Sequence, residues 1–197
     1  AFEERFGFPL VEVWGMTETG RIYSDCIEPR QISTRAFGRP GGGLEAKVVD
    51  DRDEAVARGA EGELLVRWGG PEGARHGFFA GYLKNAEATE EAWRGGWFHT
   101  GDVVRQMPDE MLVFLDRKKN IIRRSGENIA AAEVEACLQA HHAVSQVAVL
   151  AVPDEVREEE VMVCVVLMPG VTPARELGEH LQDWCLDKLA YFKAPGW

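Results

Sequence analysis

The hydrophobic pattern of this chain changes period once, at residues 116–120, and that change points to two folding units of different build. Before it, short apolar runs at 44–49, 62–68, 103–106 and 112–115 stand between glycine-rich turns. Runs of that length, rich in β-branched and aromatic side chains and broken by turn formers, predict the strands of a twisted sheet or small barrel. Pro108-Asp109-Glu110 predicts a hairpin turn between the last two runs, because proline presets the first turn position. One helix is expected here, over 86–93, with Asn85 as its cap and Glu87, Glu90 and Glu91 toward its positive end.

Past residue 120 helix and strand alternate. Val134, Cys137, Leu138 and His141 recur at helical spacing, 144–152 and 161–167 read as buried strands, and Leu177, Leu181, Trp184, Cys185 and Leu189 line a second helix. Thr172 is expected to cap that helix, with Pro173 at its first position. His141 and His142 end the first helix, where an imidazolium suits the negative pole, and the acidic stretch 154–160 reads as a solvated turn. The expected fold is therefore mixed α/β: a β-rich, barrel-like unit over 1–115, a charged linker over 116–120 and a compact α/β unit over 121–197.

At 197 residues, 45% hydrophobic and 28% charged, the chain can bury a core. A net charge of −11 argues against a general binder of nucleic acid or anionic membrane, since counterion release needs an excess of Lys and Arg. Cys26, Cys137, Cys164 and Cys185 are far apart and form no Cys-x-x-Cys pair, so neither a zinc site nor a disulfide framework is expected, and a reducing cytoplasm suits them. The longest apolar run, 161–168, is too short to cross a bilayer, and residues 1–5 do not open a signal peptide.

Three clusters carry chemistry, and each has a plain structural alternative. Trp14-Gly15-Met16-Thr17-Glu18-Thr19-Gly20 puts an indole, a hydroxyl and a carboxylate within five residues, enough to stack a purine, bond a phosphate and hold Mg²⁺, or simply to make a capped turn. His99-Thr100-Gly101-Asp102 offers a carboxylate that can accept from both hydroxyls of a ribose, or is an ordinary hairpin. The run from Arg117 to Arg124 is strongly basic, yet Ile121 and Ile122 interrupt it within an acidic chain. A fixed guanidinium at Arg117 could bind a sugar and its phosphate.

The order of these clusters, with Gly62-Glu63-Leu64-Leu65-Val66-Arg67 and Gly81-Tyr82 between them, resembles the C-terminal part of adenylate-forming enzymes. The resemblance covers essentially the whole chain. The wording Asp116-Arg117-Lys118-Lys119-Asn120, then Gly126-Glu127-Asn128-Ile129 and Glu133-Val134-Glu135, is most similar to the acyl-CoA ligase branch, of fatty-acid or carnitine/crotonobetaine type. It implies that 1–115 is the end of the large AMP-binding domain, 116–120 a hinge and 121–197 the small C-terminal domain.

The resemblance also implies roles. Trp14 would lie next to adenine, Thr17 would contact phosphate, Glu18 would bind Mg²⁺, Asp102 would take the ribose hydroxyls and Arg117 the ribose and adenylate. Lys119 would be the pivot and Gly126 would line the pantetheine channel of coenzyme A. Gly15 would leave room for an acid larger than acetate. The substrates would be ATP, a carboxylic acid and coenzyme A, with no nucleic acid.

The phosphate-cradling loop of the family and its terminal Gly-Lys pair have no match among these residues, and Lys193 belongs to the segment that precedes that pair. The resemblance therefore implies a partial, inactive piece. Two other readings stay open: an adenylating enzyme that loads a carrier protein, and a non-catalytic nucleotide-binding or interaction module docking through Arg123 and Arg124.

Overall fold

A computed structural model describes residues 2–32 and 34–196. It divides into two compact units, Ala1–Leu115 and Asp116–Trp197.

The first unit opens with a short helix α1 (Phe2–Phe6) and an antiparallel hairpin of β1 (Val13–Met16) and β2 (Gly20–Ser24). Strands β3 (Ala36–Gly38), β4 (Leu44–Val49), β5 (Glu61–Trp68), β6 (Phe98–Gln106) and β7 (Leu112–Arg117) form a five-stranded sheet in the order β3-β7-β6-β5-β4. Strands β3 and β4 are its edges, so the expected barrel is an open sheet. Helix α2 (Ala86–Ala92) precedes β6, and Asn85 Oδ1 caps it by accepting from the Ala88 N–H at 3.1 Å. The expected turn at 108–110 is present: Met107 N–H donates to Met111 O, and Glu110 takes φ 69°.

One face of this sheet is closed by aromatic packing. Trp14, Tyr23, Phe37, Leu64, Val66, Trp93, Phe98, Val104 and Leu112 are buried together. Each fully buried large side chain contributes about 1.5–3 kcal/mol, so the hairpin carrying Trp14 and Tyr23 is anchored chiefly by its rings. Trp14 lies 5.8 Å from Phe37 and 5.8 Å from Tyr23, centroid to centroid.

The second unit has a four-stranded sheet in the order β10-β11-β8-β9, from β8 (Ile121–Arg124), β9 (Glu127–Ala130), β10 (Val144–Asp154) and β11 (Glu158–Leu167). Helices α3 (Ala131–Gln139) and α4 (Arg175–Leu186) pack on it around Ile122, Ile129, Val134, Leu138, Val149, Val161, Leu181 and Cys185. The basic run thus contains a strand, with Ile122 buried while Arg123 is exposed. Its hairpin turns through Ser125 at φ 53° and Gly126 at φ 82°, the backbone of a two-residue type I′ loop.

Four expectations for this unit are corrected. Helix α4 starts at Arg175, not at Pro173 behind a Thr172 cap, because Ala174 is extended at φ −150° and ψ 155°, and no side chain caps it. Leu189 lies beyond the helix end, although it still packs on the core. Glu160 is not solvated but buried, held by Arg124 at 2.9 Å and Arg157 at 2.6 Å. His141 is not an exposed imidazolium: it is 2% exposed, burial lowers its pKa, and His142, His180 and Lys188 push the same way.

Candidate functional site

In the first unit the Trp14 and Asp102 clusters meet. Trp14 Nε1 donates to Asp102 Oδ2 at 2.7 Å, and both residues are buried. The hairpin puts Trp14 in β1 with its indole turned into the aromatic core, while the following turn displays Thr17 exposed and Glu18 half-buried. Thr19 closes that turn, donating its N–H to Met16 O and accepting from Met16 N–H at Oγ1. Gly15 is demanded locally, since a Cβ there would stand 2.3 Å from Gly20 O in the bulged pairing of β1 with β2.

Glu18 is fixed from two sides. Its carbonyl accepts from Phe79 N–H at 2.8 Å, and its Oε1 accepts from the Tyr82 hydroxyl at 3.0 Å. A single hard carboxylate of this kind fits Mg²⁺, which usually takes one or two carboxylates and fills its octahedron with water and phosphate oxygens. Among the described residues there is no cluster of three or more metal-ligating side chains. Tyr82 is among the residues that carry the family resemblance, but nothing in the sequence assigns it a chemical role.

Asp102 is held by its own strand. Pairing between β5 and β6 joins Glu63 to Val103 and Leu65 to His99, so Thr100, Gly101 and Asp102 stand opposite Leu64 alone. That is a β-bulge, a device that re-aims a side chain and interrupts the ladder. Thr100 Oγ1 restores part of the lost pairing, donating to Leu64 O at 2.7 Å and accepting from Asp102 N–H at 3.1 Å.

In the second unit, Arg117, Lys119 and Gly126 are each exposed. Arg117 ends β7, Lys119 lies in a 3-10 turn (Lys118–Asn120), and Gly126 is in the β8–β9 loop. The organiser here is Asp116, which is buried. Its Oδ1 accepts from Arg117 N–H at 2.7 Å and Asn120 Nδ2 at 3.1 Å, and its Oδ2 accepts from Ala132 N–H at 2.8 Å. Helix α3 has no side-chain cap of its own, so a carboxylate from the linker neutralises its N-terminus.

Of the two arginines named for docking, Arg124 is engaged within the second unit. Arg124 donates to the carbonyls of Phe192 at 2.7 Å and Ala194 at 3.0 Å and pairs with buried Glu160, so its guanidinium serves the fold. Lys193 pairs with Glu133 at 2.6 Å. Among the described residues no helix is long and apolar enough to cross a membrane.

Comparison with known proteins adds independent evidence. Residues 1–83 match the family described as AMP-binding enzyme, and residues 133–196 match the AMP-binding enzyme C-terminal domain. The chain is 36% identical to a crotonobetaine/carnitine–CoA ligase of Proteus mirabilis, across 99% of this chain and 36% of that protein. Its fold is similar to o-succinylbenzoate CoA synthetase of Bacillus subtilis in complex with its acyl-adenylate intermediate, at TM-score 0.82 and 28% identity over 99% of this chain and 38% of that one. ATP-bound MatB of Rhodopseudomonas palustris is similar at TM-score 0.79 and 27% identity, over 99% and 37%. The chain spans a little over a third of the length of each.

Proposed function

We propose that the whole protein, whose residues 1–83 and 133–196 match the AMP-binding enzyme family and its C-terminal domain, is an AMP-forming acid–thiol ligase that makes an acyl-coenzyme A from a carboxylic acid, of fatty or carnitine-like type, through an acyl-adenylate. The observation that carries this reading is the buried Trp14–Asp102 hydrogen bond, which fixes a carboxylate beside the loop bearing Thr17 and Glu18.

In the first half-reaction a carboxylate oxygen attacks the α-phosphorus of ATP, the bond to the bridging oxygen breaks, and pyrophosphate leaves. In the second, the coenzyme A sulfur attacks the acyl carbon, AMP leaves with the carbon–oxygen electron pair, and the thiol proton passes to solvent. Neither step needs a covalent enzyme intermediate, so the chain's task is to align reactants and to neutralise charge as it develops.

Within this reading Trp14 adjoins the adenine and Asp102 accepts hydrogen bonds from the ribose hydroxyls. Thr17 donates its hydroxyl to a phosphate oxygen, and Arg117 binds the ribose and the α-phosphate as a fork of donors. Glu18 would hold Mg²⁺, whose contribution when bound is to offset phosphate charge. Lys119 is the pivot between the half-reactions, Gly126 lines the approach of the pantetheine thiol, and the glycine at Gly15 leaves acyl space that a larger residue would fill.

The test is ATP–pyrophosphate exchange by the whole protein with a panel of carboxylic acids, followed by identification of the thioester product. Acid-dependent exchange with transfer to free coenzyme A supports the proposal. Exchange with transfer only to a carrier-protein phosphopantetheine would move the protein to the carrier-loading class. No exchange with any acid would remove the activity altogether.

A further inference from the structure

Glu63 sits where a strand ordinarily has no use for an acid. It lies in β5 beside Leu64, Leu65 and Val66, is 5% exposed, and takes no part in the chemistry assigned above. Its Oε1 accepts the Gly101 N–H at 3.2 Å, within the bulge that carries Asp102. The bulge withdraws Thr100, Gly101 and Asp102 from regular pairing, so the half-buried Gly101 N–H needs an acceptor from elsewhere. Gly101 adds a turn at φ 69°, so this residue cannot simply slide back into the ladder.

Glu63 adjoins a polar network in which Arg94 is shared with Asp53 and Glu91. His99 Nδ1 lies 3.5 Å from Glu63 Oε1 and Arg94 Nη2 lies 4.0 Å from Oε2, while Asp53 Oδ2 pairs with Arg94 Nε at 3.3 Å. A network of this kind sets a geometry more than it adds stability, because desolvation offsets much of its attraction.

We propose that Glu63 is a positioning residue for Asp102: by accepting the Gly101 N–H it holds the bulge in the one shape that aims the Asp102 carboxylate, through Trp14, at the ribose hydroxyls of the nucleotide. The proposal rests on the reading of Asp102 as the ribose ligand. Glu63 touches no substrate in it and acts through the backbone of Gly101.

The experiment measures dissociation constants for AMP and for 2′,3′-dideoxy-AMP by calorimetry, in the unsubstituted protein and in Glu63→Gln and Glu63→Leu. The ratio of the two constants reads only the ribose hydroxyls, because a loss of folded protein weakens both ligands by the same factor. In the unsubstituted protein the expected ratio is about tenfold or more, the effect of deleting hydrogen bonds to a charged group. Glu63→Leu brings it to near one while AMP dideoxy analogue binding persists, and Glu63→Gln, which keeps an acceptor for Gly101, restores it to within about threefold of the original.

A full ratio in Glu63→Leu overturns the proposal and leaves Asp102 untouched. Collapse in both variants overturns the hydrogen-bond account of Glu63. A ratio of one in the unsubstituted protein removes the ribose reading of Asp102, and the positioning role with it.

Discussion

Trp14 Nε1 and Asp102 Oδ2, separated by 88 residues of sequence, meet at 2.7 Å in the interior of the first unit. The bond joins the tip hairpin to the central sheet and fixes the side-chain torsion of the carboxylate assigned to the ribose.

Trp14→Phe keeps most of the ring contact with Phe37 and Tyr23 but deletes the donor to a buried carboxylate. The expected cost is about 1.5–3 kcal/mol of unfolding free energy, read from urea denaturation, together with weaker AMP binding. A stability within about 0.5 kcal/mol of the unsubstituted protein would mean that the indole contributes packing alone.

Asp116→Ala removes the acceptor for Arg117 N–H, Asn120 Nδ2 and Ala132 N–H at once. A lost helix cap and the loss of bonds to a charged group together amount to about 2–3 kcal/mol. Hydrogen exchange should speed up at 116–120 and in the first turn of α3. Acceleration confined to 116–120, with α3 unchanged, would show that the carboxylate does not cap the helix.

His141 gives the second unit a pH dependence whose sign follows from burial. Its Nδ1 accepts the Ala143 N–H at 3.2 Å, so the folded ring is neutral at that nitrogen, and burial holds its pKa below that of the unfolded chain. The unfolded state binds the proton first, so the stability is fully present above about pH 6.5 and is lost as pH falls toward the lower folded value. Urea midpoints measured from pH 7.5 to pH 5.5 should fall, and His141→Gln should flatten the profile. An unchanged slope in that variant would mean that His141 is not its source.

Local signals made most of the elements legible in the sequence. The Asn85 cap, the turn at 108–110 and the apolar runs of β4, β5, β10 and β11 depend on neighbours along the chain, and the structure has them. Long-range accidents of packing stayed hidden. Asp116 caps a helix that begins 15 residues later, Arg124 is used up by carbonyls near residue 193, and His141 is neutral because Trp184 and His180 cover it. The β8–β9 hairpin was masked because its exposed positions are basic and only Ile122 and Ile129 are buried.

The candidate site divides in the same way. Asp102, Glu18 and Trp14 could be picked out by residue type and order, but the contact of Trp14 with Asp102 could not, because it needs the bulge opposite Leu64. Glu63 gave one faint signal, an acid set inside an apolar strand. Gly15 has a local requirement of its own that residue order did not reveal: a Cβ there would stand 2.3 Å from Gly20 O, whatever space the glycine also leaves for an acid.

The most direct test is a calorimetric titration of AMP into the protein and into Asp102→Asn, a change that keeps an acceptor for Trp14 Nε1 while removing the charge. The account predicts an intact fold and AMP affinity reduced about tenfold or more, with 2′,3′-dideoxy-AMP bound equally by both proteins. Equal AMP affinity in the two proteins would contradict it.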